Sequence, residues 1–137
     1  MLYDDQDLAA MALCVWKEAR GEGELGMKAV ADVIRNRACA WDQSIHDVVY
    51  AKNQFTSMSV PSDPEFNLQP TEGDAQFVFC QSLCEPILTS QMSDVTNGAL
   101  YYCNPKEATS GWFAEHIVAD SIMHPQVATI GRQLFYK

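Results

Sequence analysis

Cations are scarce in this chain. Nine Lys and Arg stand against 18 Asp and Glu over 137 residues, a formal net charge of −9. A duplex nucleic-acid binder needs clustered cations to displace counterions from phosphates, and an anionic membrane surface makes the same demand. Neither partner is expected. There is also no run of about 18 apolar residues, so no helix is expected to span a bilayer. The first eight residues carry Asp4, Asp5 and Asp7 but no Lys or Arg, whereas an export signal opens on cations. The expectation is a chain without a signal peptide, made in the cytoplasm, or one whose export signal was removed. Five cysteines (Cys14, Cys39, Cys80, Cys84 and Cys103) are an odd number at spacings unlike a disulfide framework. They read as reduced, mostly buried small hydrophobes.

What is present is ordinary globular material. Hydrophobic residues make up 47% and charged residues 20%, which excludes disorder. A chain of this length buries roughly two thirds of its unfolded surface. With no repeat, linker or low-complexity stretch, 1–137 reads as a single domain. Leu8, Met11, Ala12, Val15 and Trp16 recur at helical spacing and predict a helix from about Asp5 to Arg20. The Gly21-Glu22-Gly23 segment then joins it to a second helix, from about Glu24 to Ala38. There Leu25, Ala29, Val30, Val33 and Ile34 are expected inward, and Lys28, Asp32 and Arg35 outward.

Ser44 and Asp47 form a cap signature for a short helix over Ile45 to Ala51. Lys52 to Pro70 reads as a long irregular loop, a kind of segment that often carries function. Thr71 with Asp74 caps a further helix that Pro86 ends or kinks. After an Asn97-Gly98 turn, Ala99 to Cys103 and Val127 to Tyr136 read as short strands. The fold class is mainly α (α+β), with a small β element near the C-terminus.

The densest polar cluster is Lys17-Glu18-Ala19-Arg20-Gly21-Glu22-Gly23-Glu24. Glu18 falls in the last turn of the first helix, among unpaired carbonyls and beside Trp16, a setting suited to a carboxyl that must hold a proton. The bland alternative is a solvated surface charge at a helix end. Two other chemistries compete. Cys80 and Cys84 at i, i+4 could join Cys103 and His116 or His124 around zinc, but no Cys-x-x-Cys or His-x₃-His pair supports it. Cys14 with His46 or His116 could act as a thiol nucleophile, but Cys14 lies mid-helix on an apolar segment. No metal or cofactor is expected.

The stretch Trp16-Lys17-Glu18-Ala19-Arg20-Gly21-Glu22-Gly23, then Gly26 through Asn36-Arg37, resembles the catalytic domain of spore cortex-lytic enzymes, in the cell-wall hydrolase family that also supplies some bacteriophage lysins. Gln54-Phe55-Thr56, Gly98 through Asn104-Pro105, and Thr129-Ile130-Gly131 through Phe135-Tyr136 resemble three further blocks of that family in order. The resemblance runs from about Leu8 to Lys137. It implies a compact lysozyme-like domain that cleaves the MurNAc–GlcNAc β-1,4 bond of peptidoglycan glycan strands, with Glu18 as general acid. By the same resemblance the enzyme is a lytic transglycosylase, in which the muramic acid 6-hydroxyl attacks the anomeric carbon and one carboxyl suffices.

A muramidase that uses water would need a second carboxylate, for which Glu22 is the nearest in sequence. A module that grips glycan without cutting it is the non-enzymatic alternative. Sugar binding calls for flat apolar faces and a few fixed polar groups. Phe55, Tyr101, Tyr102 and Trp112 are the candidates to stack on sugar rings, and Gln54 and Asn104 those to hydrogen-bond. In a strand only one of Tyr101 and Tyr102 is expected to face the cleft. Many wall-degrading enzymes are basic, and this chain departs from them in charge. No appended wall-binding domain is expected, so binding would come from the cleft. The chain is expected to act as a monomer, released by a phage holin or carried in a virion.

Overall fold

The computed structural model describes residues 1–137. Five α-helices come first: α1 (Asp5–Ala19), α2 (Gly23–Trp41), α3 (Ile45–Tyr50), α4 (Thr56–Ser59) and α5 (Ala75–Leu88). Strand β1 (Tyr101–Cys103), a π-helical turn (Ala114–Val118) and the hairpin of β2 (Gln126–Ile130) and β3 (Gln133–Tyr136) follow.

The start of α1 is fixed by a reciprocal capping box. Asp4 Oδ1 accepts from the Asp7 amide at 2.9 Å, and Asp7 Oδ2 accepts from the Asp4 amide at 3.0 Å. The other Asp7 oxygen accepts from the His46 amide at 2.9 Å, which ties this end to α3. Met11, Ala12, Val15 and Trp16 are buried as the periodicity predicts, but so are Ala10, Cys14, Lys17 and Ala19. The stripe is wider than the pattern because α1 is the central helix, packed against α2, α3, α4 and α5. Their shared core runs from Met11 and Val15 through Val30 and Ile34 to Val48, Leu83 and Ile87.

In α2 two inward and outward assignments are corrected. Leu25 is 56% exposed because it lies in the first turn, where Met27 takes the buried position. Asp32 is 2% exposed because residues 93–95 close over that face: Lys28 Nζ donates to its carboxylate at 2.8 Å and the Val95 amide at 3.0 Å. Residues 56–59, expected as loop, form the single turn α4. The cap of α5 is Asp74, not Thr71. Its carboxylate accepts from the Phe77 amide at 2.9 Å and from the Trp16 indole at 3.3 Å. Pro86 sits within α5, which ends two residues later at Leu88.

The sheet is antiparallel in the order β1-β3-β2, with Tyr102 opposite Phe135 and Thr129 opposite Leu134. The C-terminal segment is therefore two strands, turned at Gly131, whose φ of 57° favours glycine. A small second core of Ala29, Val33, Ala99 and Phe135 joins the sheet to α2.

The connection into β1 is held by Asp94. Its carboxylate accepts from the Thr96 amide and hydroxyl (both 2.7 Å), the Gly98 amide (2.8 Å) and the Asn36 side chain (3.0 Å). Partial burial raises its pKa, but these hydrogen bonds outweigh burial and hold it below the ordinary 3.8. Folded Asp94 thus binds a proton less readily than unfolded Asp94. Its stabilisation is complete above the ordinary value and is lost as pH falls through the folded one. Asp94→Ala is expected to lower unfolding stability by about 3 kcal/mol, roughly 10 °C in Tm. Denaturant melts should also show Asp94→Asn losing less stability than the parent between about pH 4 and pH 2.

Candidate active site

Glu18 lies one residue before the end of α1, where the helix meets the sheet. Ser57, from α4, donates to Glu18 Oε2 at 2.6 Å, and the Tyr102 hydroxyl, from β1, donates to Oε1 at 2.6 Å. Both donors are hydroxyls, which also accept, so the pair can hold the carboxyl whether or not it carries a proton. Burial and the Glu18 carboxylate push the Tyr102 phenol well above its ordinary 10, which keeps it a neutral O–H donor. Its ring packs on Phe135 at 5.8 Å.

A cleft of about 910 Å³ opens over Glu18, walled by residues 53–56, by β1 and by residues 107–113. Gln54, Phe55, Tyr101, Tyr102 and Trp112 all line it. Phe55 is 2% exposed and belongs to the floor, whereas Trp112 is 63% exposed at the rim, stacked on His116 at 4.7 Å. Both Tyr101 and Tyr102 border the cleft, which corrects the expectation that only one would. β1 is a three-residue strand at the edge of the sheet. Tyr101 packs against Trp41 at 6.4 Å and edge-on to His124 at 5.3 Å.

Glu22 and Asn104 are placed elsewhere, on a separate polar depression of about 280 Å³ with Lys106 and Arg132. The break between α1 and α2 takes Glu22 off the helical path that would set it one turn above Glu18. It becomes the N-cap of α2, and its Oε1 accepts from Arg132 at 2.9 Å. The Asn104 side chain is used locally, accepting from the Glu107 amide at 3.0 Å.

Among the residues at the site that were not read from the sequence as site residues, four stand out. Ser57 stands one position past the Gln54-Phe55-Thr56 block. Arg37 closes the Asn36-Arg37 pair and could have been suspected from it. Its guanidinium is buried beneath the cleft, donates from Nε to the Leu100 carbonyl at 2.6 Å, and lies 4.8, 5.4 and 5.7 Å from the ring centroids of Phe55, Trp41 and Tyr101. Trp41 lines the cleft beside it. Glu107 is the second carboxylate lining the cleft, on a loop with no sequence signal.

Of the rival chemistries, Cys14 is fully buried in the helical core. Burial first, then the Glu18 charge, push its thiol well above the ordinary 9. No three His, Cys, Asp or Glu side chains gather as metal ligands.

A helical core with a small sheet at one end, and one carboxyl held at the floor of a cleft between them, defines a lysozyme-like fold. The chain belongs to the cell wall hydrolase family, whose sequence profile matches residues 21–136. It is similar to a spore cortex-lytic enzyme of Halalkalibacterium halodurans, 33% identical over 97% of this chain and 35% of that protein. A spore cortex-lytic enzyme of Bacillus cereus is 32% identical over 98% of this chain and 46% of the relative. The chain thus spans about a third to a half of the length of the curated relatives it matches. Among solved structures it resembles the catalytic domain of the germination-specific lytic transglycosylase SleB from Bacillus anthracis, with a TM-score of 0.71 and 31% identity over 98% of this chain and 97% of that one. The catalytic domain of Bacillus cereus SleB gives a TM-score of 0.72 at 31% identity, over 99% and 93% of the two chains.

Thiol labelling checks the core placement of Cys14. Cys39 is exposed and the other four cysteines are buried. The native protein is expected to release one equivalent of colour rapidly with a disulfide reagent, and five after unfolding.

Proposed function

We propose that this chain is a peptidoglycan lytic transglycosylase that cleaves the MurNAc–GlcNAc β-1,4 bond, with Glu18 as both acid and base. The observation that carries the reading is the Glu18 carboxyl at the floor of the cleft, with Ser57 and Tyr102 each 2.6 Å from one of its oxygens. The kinship with SleB catalytic domains, one of them named as a lytic transglycosylase, supports the same activity here.

In this reaction protonated Glu18 gives its proton to the glycosidic oxygen, the C1–O bond breaks, and the GlcNAc residue leaves as an alcohol. Positive charge spreads over C1 and the ring oxygen of MurNAc. The MurNAc 6-hydroxyl oxygen then bonds to C1 while Glu18, now a carboxylate, takes its proton. The product is 1,6-anhydro-MurNAc, no water is consumed, and Glu18 ends protonated as it began. Ser57 and Tyr102 hold the carboxyl through both transfers, which supports one group serving twice.

Trp112 at the rim and Tyr101 on the wall offer flat faces to sugar rings, and Gln54 a polar group for a hydroxyl or acetamido oxygen. The chain is proposed to act as a monomer on glycan strands of the peptidoglycan layer. One observation favours a second reading: Glu107 also lines the cleft, so a water-using muramidase would draw its second carboxylate from there rather than from Glu22.

Glu18→Gln is expected to abolish release of soluble fragments from purified peptidoglycan, a loss of at least about 10²-fold, while Tm moves by only a few degrees. A folded Glu18→Gln protein with near-parental release would remove Glu18 from the role. Glu107→Gln and Glu22→Gln should each keep activity within about 10-fold of the parent. An inactive but folded Glu107→Gln would favour the muramidase.

A further inference from the structure

Lys17 is the immediate neighbour of Glu18, yet its side chain is buried, only 7% exposed. A lysine gives up strong hydration to enter such a site, and burial lowers its pKa from the ordinary 10.5. The compensation comes from one place. Nζ donates to the Phe66 carbonyl at 2.7 Å and to the Ser57 carbonyl at 3.3 Å, and lies 5.8 Å from the centroid of the Phe66 ring. Both carbonyls belong to the segment between α3 and α5.

Ser57 is therefore held at two points by consecutive residues of one helix: Lys17 takes its carbonyl and Glu18 its hydroxyl. α4, which carries Ser57, is one turn of four residues, too short to persist without outside contacts. Arg20 fastens the far arm of the same segment by its ion pair with Glu65, beside Phe66, and stacks over Trp16 at 4.2 Å. The Thr56 hydroxyl, donating to Asp63 at 2.6 Å, ties the two arms to each other. Apart from the acid's own contact, only that of Lys17 acts on Ser57 itself and from the helix that bears the acid.

We propose that Lys17 is a positioning residue for the reaction, fixing the Ser57 backbone so that its hydroxyl meets Glu18. The proposal rests on the reading of Glu18 as the acid. It requires Lys17 to act through Ser57 and not through substrate, so its effect should fall on turnover rather than on binding.

The test is a double-mutant cycle on the whole chain, read as kcat and KM for solubilisation of purified peptidoglycan, with Glu18→Gln alongside. Lys17→Met is expected to lower kcat about 10-fold or more with KM within about twofold, because small displacements around an acid cost rate. Lys17→Arg, which keeps a buried cationic donor, should recover much of the loss. In the Ser57→Ala background, Lys17→Met should cost little more, since the hydroxyl it positions is gone. A folded Lys17→Met protein with parental kcat, a loss that appears only in KM, or losses that multiply in the double variant would each overturn the proposal. Lys17→Gln carries the same comparison if Lys17→Met does not fold. Failure of both to fold would make Lys17 a folding residue and overturn the proposal too. An active Glu18→Gln would instead overturn the underlying reading, so the two failures are distinguishable.

Discussion

Two hydroxyls, from Ser57 and Tyr102, converge on the one carboxyl at the end of α1, and the surrounding structure follows from what brings them there. The donors stand 39 and 84 residues from Glu18 in the chain, so neither contact is local. Each requires a separate piece of fold to be placed to a fraction of an ångström. For Ser57 that piece is the turn α4, held by the buried Lys17 ammonium. For Tyr102 it is β1, registered against β3 with Tyr102 opposite Phe135 and anchored to α2 through the Asp94, Asn36 and Thr96 network. The carboxyl is the meeting point of the helical core and the sheet, and the cleft is the gap between them.

The five residues Trp16 to Arg20 divide this work among themselves. Successive helical positions point in different directions, so adjacent side chains can serve different partners. Trp16 donates to Asp74 at the start of α5, Lys17 reaches Ser57 and Phe66, Ala19 packs in the core, and Arg20 pairs with Glu65. Only Glu18 is left facing the cleft. The cluster that looked from its composition like a solvated helix end is a hub whose charges are mostly committed to neighbouring segments. Arg37 plays a comparable part below the cleft, where its guanidinium lies among Phe55, Trp41 and Tyr101 and orders an aromatic wall.

The helices and turns were legible because their signals are local. The Ser44 cap, the i, i+3, i+4 stripes and the Asn97-Gly98 turn depend on residues within a few positions of each other. Glu18 was singled out by the resemblance of its box to the cell-wall hydrolase family, since its place at a helix end also fits a solvated surface charge. What failed to show depends on distant segments. Asp32 read as outward because nothing in α2 announces that residues 93–95 will cover it. Leu25 read as inward because periodicity cannot tell a helix's surface turn from its core turns. Glu22 read as the candidate second carboxylate because it is the nearest in sequence, and the break between α1 and α2 sends it to Arg132 instead. Ser57 and Glu107 were missed because a serine in a single helical turn and a glutamate in a loop acquire meaning only once the tertiary fold brings them to the cleft.

In the proposed reaction one carboxyl serves as both acid and base, with the sugar's own hydroxyl as nucleophile. Mass spectrometry of the soluble fragments released from purified peptidoglycan tests it most directly, because the two outcomes differ by one water per cleaved bond. Fragments ending in 1,6-anhydro-MurNAc are expected. Fragments heavier by one water, with reducing ends, would contradict it and assign the nucleophile to solvent.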